Sequence, residues 1–211
     1  MKKALLVVDV QRDFCPGGAL AVPDGDQVVK PTNQMILYAR SNGYLIVASA
    51  DLHPPDHCSF REQGGLWPPH CVQNTPGAEF HPSLIIKPEL DEVIQKGFKQ
   101  SEDSYSAFGG IINVSWNYIM NLEEILKEHK ITIIYVGGLA TDYCVKATAL
   151  DAVRLGFKTY LLYDACKAVN LKPGDNLKAV MEMREAGVIL TTTERVISGQ
   201  ETRYAHSHIF I

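Results

Sequence analysis

The apolar positions of this chain fall into short unbroken runs, separated by segments in which they recur at helical spacing. Residues 3–10, 44–50 and 131–136 are continuous runs rich in Val, Ile and Leu. Runs of this kind, without in/out alternation, predict strands buried on both faces. Shorter strands are predicted at 92–96, 158–163 and 188–190, and 84–86 is a further apolar triplet. Helical spacing appears over 28–42 (Val29, Met35, Ile36, Ala39), 122–129, 143–155 and 175–186. Gly43, Gly156 and Gly187 stop three of these helices. Residues 52–82 hold many prolines and no period, and 97–118 read as loop around Gly109-Gly110. A long irregular segment inside a compact domain is usually functional. Strands alternating with helices predict an α/β fold, three-layer α/β/α, with a mainly parallel central sheet. No stretch reads as a linker or a repeat, so residues 1–211 are read as one domain.

Charge and cysteine usage narrow the partners. The net charge of −4 over 211 residues gives no basic footprint, so nucleic acid is not expected as a partner. No apolar run is long enough to span a bilayer, so no membrane partner is expected either. The N-terminal MKKALLVVDV is too short an apolar run for a signal peptide and is interrupted at Asp9, so it reads as the first strand. The five cysteines (Cys15, Cys58, Cys71, Cys144, Cys166) are odd in number and show no CxxC spacing. Reduced thiols and a cytoplasmic location follow as the expectation.

In parallel α/β sheets, ligands bind beyond the carboxyl ends of the strands. Asp9, Asp51 and Asp164 each close an apolar run, and Lys96 ends the short one at 92–96. Cys144 opens the helix after 131–136, past two glycines that let the backbone turn tightly. Backbone N–H groups and the helix dipole at such a position lower a thiol's pKa, and can hold an oxyanion. Cysteine, aspartate and lysine in one pocket make a workable nucleophile set. In extended backbone, Asp51 and His53 point the same way. They can share an ion, with His70 as a third ligand, while His57 could ligate, orient a water or do neither. Two imidazoles and a carboxylate suit zinc, iron or manganese. Phe14, Trp67 and Tyr105 could wall a slot for a flat ligand.

The segments ALLVVDVQRDFCPGGAL, SADLHPPDHCSF, WPPHCVQNTPGAEFHP, IQKGFKQSEDSYSAF and GGLATDYCVKATALDA together resemble the nicotinamidases of the isochorismatase-like cysteine hydrolase superfamily. The likeness runs in order to about Asp164. It implies the isochorismatase-like hydrolase fold, with Cys144 as nucleophile, Asp9 as general base and acid, and Lys96 completing the triad. It implies one divalent ion on Asp51, His53 and His70, zinc foremost, with iron or manganese as alternatives. His57 is a direct ligand in some members and not in others. A cis peptide between Leu139 and Ala140 is implied, with the N–H groups of Ala140 and Cys144 as the oxyanion hole. Phe14, Trp67 and Tyr105 would sandwich the pyridine ring of nicotinamide. The implied reaction converts nicotinamide to nicotinic acid and ammonia through a thioester, in NAD salvage, with pyrazinamide-like analogues as further substrates. A homo-oligomer is compatible with the sequence. Two rivals are a superfamily relative acting on another amide or an enol ether, and a non-catalytic scaffold. The first has no need of Asp51, His53 and His70 together, and the second none of Asp9, Lys96 and Cys144. Residues 109–121 and 193–211 follow no family pattern, and His206 and His208 read as surface residues.

Overall fold

The computed structural model describes residues 1–115 and 118–200; His206 and His208 lie outside them. Eight strands form one sheet: β1 (Lys2–Val8), β2 (Leu45–Asp51), β3 (Glu92–Lys96), β4 (Ile111–Ser115), β5 (Tyr118–Asn121), β6 (Ile131–Leu139), β7 (Lys158–Lys167) and β8 (Ile189–Thr191). Their order is β5-β4-β3-β2-β1-β6-β7-β8. All neighbours pair in parallel except β3 with β4 and β4 with β5, which are antiparallel at one edge. The mainly parallel α/β expectation is met. The chain runs outward from β1 to β5 on one side, then returns to β6 beside β1 and runs outward to β8. The reversal leaves a crevice between the carboxyl ends of β1 and β6, the usual ligand position in such sheets.

Among the described residues, five α-helices cover the sheet: α1 (Val29–Ser41), α2 (Leu122–Glu128), α3 (Lys146–Arg154), α4 (Asp175–Glu185) and α5 (Thr193–Ile197). Alternate residues of β1 serve different cores. Ala4, Leu6 and Val8 pack with α2, α3 and α4, whereas Leu5 and Val7 pack with α1 and α5. Burial on both faces is why these strands carry no polar alternation. On α1, Val29, Thr32, Met35, Ile36 and Ala39 form the buried stripe. Each fully buried aliphatic side chain is worth roughly 1.5–3 kcal/mol. Pro31 is tolerated because it falls in the first turn, and Gly43, at φ +67°, takes the left-handed turn that ends the helix region. A capping box starts α2: the Glu124 N–H donates to the Asn121 side chain, and the Asn121 N–H to the Glu124 carboxylate. No helix among the described residues is long and apolar enough to cross a membrane.

Four expectations need correction. Residues 111–115 and 118–121, within the run read as loop or left unassigned, form the antiparallel edge strands. Gly137 and Gly138 do not make a tight turn; they lie inside β6. Gly138, at φ +130°, passes so close to β1 that a Cβ would meet the Val8 carbonyl oxygen at 2.0 Å. The helix expected from Tyr143 begins at Lys146, after a π-helical turn over Thr141–Val145. Asp164 does not face the crevice. It sits within β7 and accepts from the Thr193 N–H and hydroxyl at the start of α5.

Gly138→Ala combines a disfavoured φ with a backbone clash. It should destabilise the fold by about 3 kcal/mol or more, measured by urea unfolding. Gly43→Ala, with open space around it, should cost no more than about 2 kcal/mol.

Candidate active site and metal site

Three strand ends and one turn deliver the charged groups. Asp9 follows β1 with φ +48°, a left-handed conformation rare outside glycine, which turns the chain out of the sheet. Asp51 ends β2, Lys96 ends β3, and the two are paired in register. Cys144 lies in the turn after β6. The Lys96 ammonium lies 2.6 Å from Asp51 Oδ1, 2.9 Å from Asp9 Oδ2 and 3.4 Å from Cys144 Sγ. Lys96 and Asp9 are wholly buried, and Asp51 and Cys144 nearly so.

The electrostatics follow from that burial. Burial pulls the Lys96 pKa down, but Asp51 and Asp9 outweigh it and hold the ammonium well above its usual value. Burial opposes the Asp51 charge, yet Lys96 and His53 overcome it and hold its carboxyl below the usual range. Asp9 moves the other way, raised by burial despite Lys96 and the Ser49 hydroxyl that donates to it at 2.7 Å. The Cys144 thiol is pushed well above its ordinary value by burial, helped by Asp9 and Asp51 and opposed by Lys96. The expectation of a lowered thiol pKa is therefore reversed: desolvation and the two carboxylates outweigh the Lys96 ammonium.

Beside this cluster, Asp51, His53 and His70 each point one donor atom into a common space, all within 4.8 Å of one another. Nδ1 of His53 lies 2.9 Å from the Gly97 carbonyl, and Nδ1 of His70 lies 2.8 Å from the Pro68 carbonyl. A carbonyl only accepts, so both rings carry the proton on Nδ1. In the neutral ring this tautomer leaves the Nε2 lone pair free, as an imidazole ligand requires. Nε2 of His53 stands 3.7 Å from Asp51 Oδ2. The donor set fits a divalent ion. His57 takes a different place. Its ring packs on His53 with centroids 4.1 Å apart. Nε2 donates to the Glu102 carbonyl at 3.1 Å, and Nδ1 lies 2.7 Å from the Ser59 hydroxyl. Asp9, Asp51 and Cys144 also cluster like ligands, but the Lys96 ammonium already sits among them.

Phe14, Trp67 and Tyr105 line one narrow cleft with Asp51, His70, Ala140 and Cys144. Trp67 Nε1 donates to the Tyr105 hydroxyl at 3.1 Å. The Leu139–Ala140 peptide is cis. Sequence reasoning missed three residues here. Tyr143 stands edge-on to Trp67 at 5.0 Å and against Tyr105 at 5.6 Å; its place beside Cys144 was the available signal. Ser49, two residues before Asp51, shares its side of the strand. Asp142 accepts from the Val169 and Asn170 N–H groups, so it secures the cleft's far wall. Nothing in the local pattern marks that contact.

The sheet and this cleft define an α/β protein in which a buried thiol lies beside a group of side chains that could hold a divalent ion. The isochorismatase domain matches residues 3–195, and the chain belongs to that family. It is 43% identical over 205 residues to a nicotinamidase of Escherichia coli (90% of this chain, 94% of that one). It is 38% identical to a nicotinamidase/pyrazinamidase of Mycobacterium tuberculosis (89% and 97%). In structure it resembles a zinc-complexed pyrazinamidase of Pyrococcus horikoshii, with TM-score 0.79, 44% identity, and 91% and 99% coverage. It also resembles an L. infantum protein in complex with nicotinate, with TM-score 0.78, 36% identity, and 92% and 93% coverage.

Gly97 lies at φ +64°, and a Cβ there would meet the His53 ring at 2.4 Å. Gly97→Ala should displace His53 and weaken binding of a divalent ion by about 10–100-fold, measured by chelator competition. Gly64→Ala, at φ +87° in open space, should leave that affinity unchanged.

Proposed function

We propose that the chain is a nicotinamidase, a metal-dependent cysteine amidohydrolase that converts nicotinamide to nicotinic acid and ammonia in the cytoplasm, within NAD salvage. The observation that carries the reading is the cleft in which Cys144, Asp51 and His70 face one aromatic-walled space, with His53 completing the donor group beside it. Relatives named for nicotinamide and pyrazinamide hydrolysis support the same substrate class. Pyrazinamide, which keeps the ring size and the carboxamide, is the second expected substrate. Zinc is the proposed ion, in line with the zinc-bound relative and with nitrogen-and-oxygen donors.

Phe14, Trp67 and Tyr105 sandwich the ring and hold the carboxamide carbon toward Cys144 Sγ. A divalent ion held by Asp51, His53 and His70 would supply a Lewis-acid anchor for the substrate. Asp9, whose raised pKa makes it a better base than an ordinary carboxylate, accepts the Cys144 proton as sulfur attacks the carbonyl carbon. The oxyanion is received by the N–H groups of Ala140 and Cys144. As the tetrahedral species collapses, the C–N bond breaks. Asp9 returns its proton to the departing nitrogen, so ammonia leaves and a thioester remains. Water then attacks the thioester carbon and gives its proton to Asp9. The C–S bond breaks, the sulfur regains a proton, and nicotinic acid is released. Lys96 keeps its proton throughout and holds both carboxylates in place.

Ammonia release from nicotinamide by the purified protein tests this reading. Cys144→Ala should lower kcat by at least about four orders of magnitude, and retained turnover would remove the nucleophile assignment. Chelation should abolish turnover of the parent, and added Zn²⁺ should restore it. Activity that survives full removal of bound metal would refute the metal dependence.

A further inference from the structure

Gln11 does not line the cleft, yet it is wholly buried and closes on the backbone of a donor residue. The reason lies in how β1 ends. Asp9, at φ +48°, takes the chain out of the sheet, so the β1–β2 ladder stops at Val8 and Ser49. β2 runs on to Asp51, which still pairs with Lys96 of β3 on its other side. Its main chain has therefore outrun its β1 neighbour. The Gln11 side chain fills that place. Oε1 accepts from the Asp51 N–H at 2.8 Å, and Nε2 donates to the Asp51 carbonyl at 2.8 Å. A primary amide used this way reproduces both halves of a peptide group in a strand. Nε2 also donates to the Ala78 carbonyl at 2.8 Å, which ties in the segment that follows His70 and Cys71.

We infer that Gln11 is a positioning residue for the divalent-ion site, acting as a surrogate strand that holds Asp51 with one carboxylate oxygen toward Lys96 and the other toward His53. The inference rests on the reading of Asp51, His53 and His70 as the ion's donors. Removing the amide leaves two buried main-chain groups of Asp51 unpaired. That freedom passes directly to a carboxylate which must hold two cations at once. A residue that merely braced the loop would change overall stability and leave the ion's affinity in the folded protein untouched.

The test uses Co²⁺ as probe, read by chelator competition and by its visible absorption. Gln11→Met keeps the length without hydrogen bonds, and Gln11→Glu keeps an acceptor but sets it against two carbonyls. Both should bind Co²⁺ about 10–100-fold more weakly than the parent, with altered visible bands in whatever Co²⁺ they retain. A folded variant with the parent's affinity and bands overturns the inference and leaves the donor reading standing. A parent protein that takes up no Co²⁺ overturns both. Should neither variant fold, hydrogen exchange of the Gln11 side-chain amide in the unaltered protein decides. Zn²⁺ should slow that exchange, because coupling between sites is reciprocal, and an unchanged rate overturns the inference.

Discussion

At the centre of the molecule a fully buried ammonium touches two carboxylates and a sulfur, and the rest of the site is arranged around it. Lys96 would be an expensive residue to bury alone. Asp9 and Asp51 make it tolerable, and each of the three would be costly to leave without the others. Removing one partner from a buried ion pair typically costs about 3–5 kcal/mol. The cluster thus binds the ends of β1, β2 and β3 to one another at the point where the sheet reverses direction. It sets two carboxylates around one ammonium, and Asp51 turns its second oxygen toward His53.

Asp51 is the hinge between the two halves of the chemistry. One of its oxygens serves Lys96, which reaches on to Cys144 Sγ; the other faces His53. The histidines are prepared in the same spirit, since the Gly97 and Pro68 carbonyls hold the protons on Nδ1 and leave Nε2 bare. His57, by contrast, has both nitrogens engaged and supports His53 from behind. Burial raises the pKa of the Cys144 thiol and of the Asp9 carboxyl alike, and Lys96 opposes both shifts.

Much of this was legible in the sequence, for identifiable physical reasons. Strands buried on both faces must be apolar at every position, so the runs at 3–10, 44–50 and 131–136 announce themselves. The polar residues that end them stand out by contrast, and Asp9, Asp51, Lys96 and Cys144 do meet in one buried cluster. Local spacing also put Asp51 beside His53. Where such reasoning failed, a local pattern had more than one meaning. Asp164 ends an apolar run as Asp9 does, but its strand continues past it and its carboxylate caps α5. Gly137-Gly138 reads as a turn, but the glycines are needed because β1 passes too close for a side chain.

The sequence by itself determined the fold class, the family and the kinds of residue available for catalysis, because these depend on periodicity, on strand ends and on motifs that survive in one dimension. Only the tertiary structure decided how those residues behave. Whether a thiol is acidic or basic, which histidine nitrogen is free, and why Gln11 lies against Asp51 are set by burial and by neighbours distant in the chain. Desolvation and pairing act through space, and no stretch of sequence carries them alone.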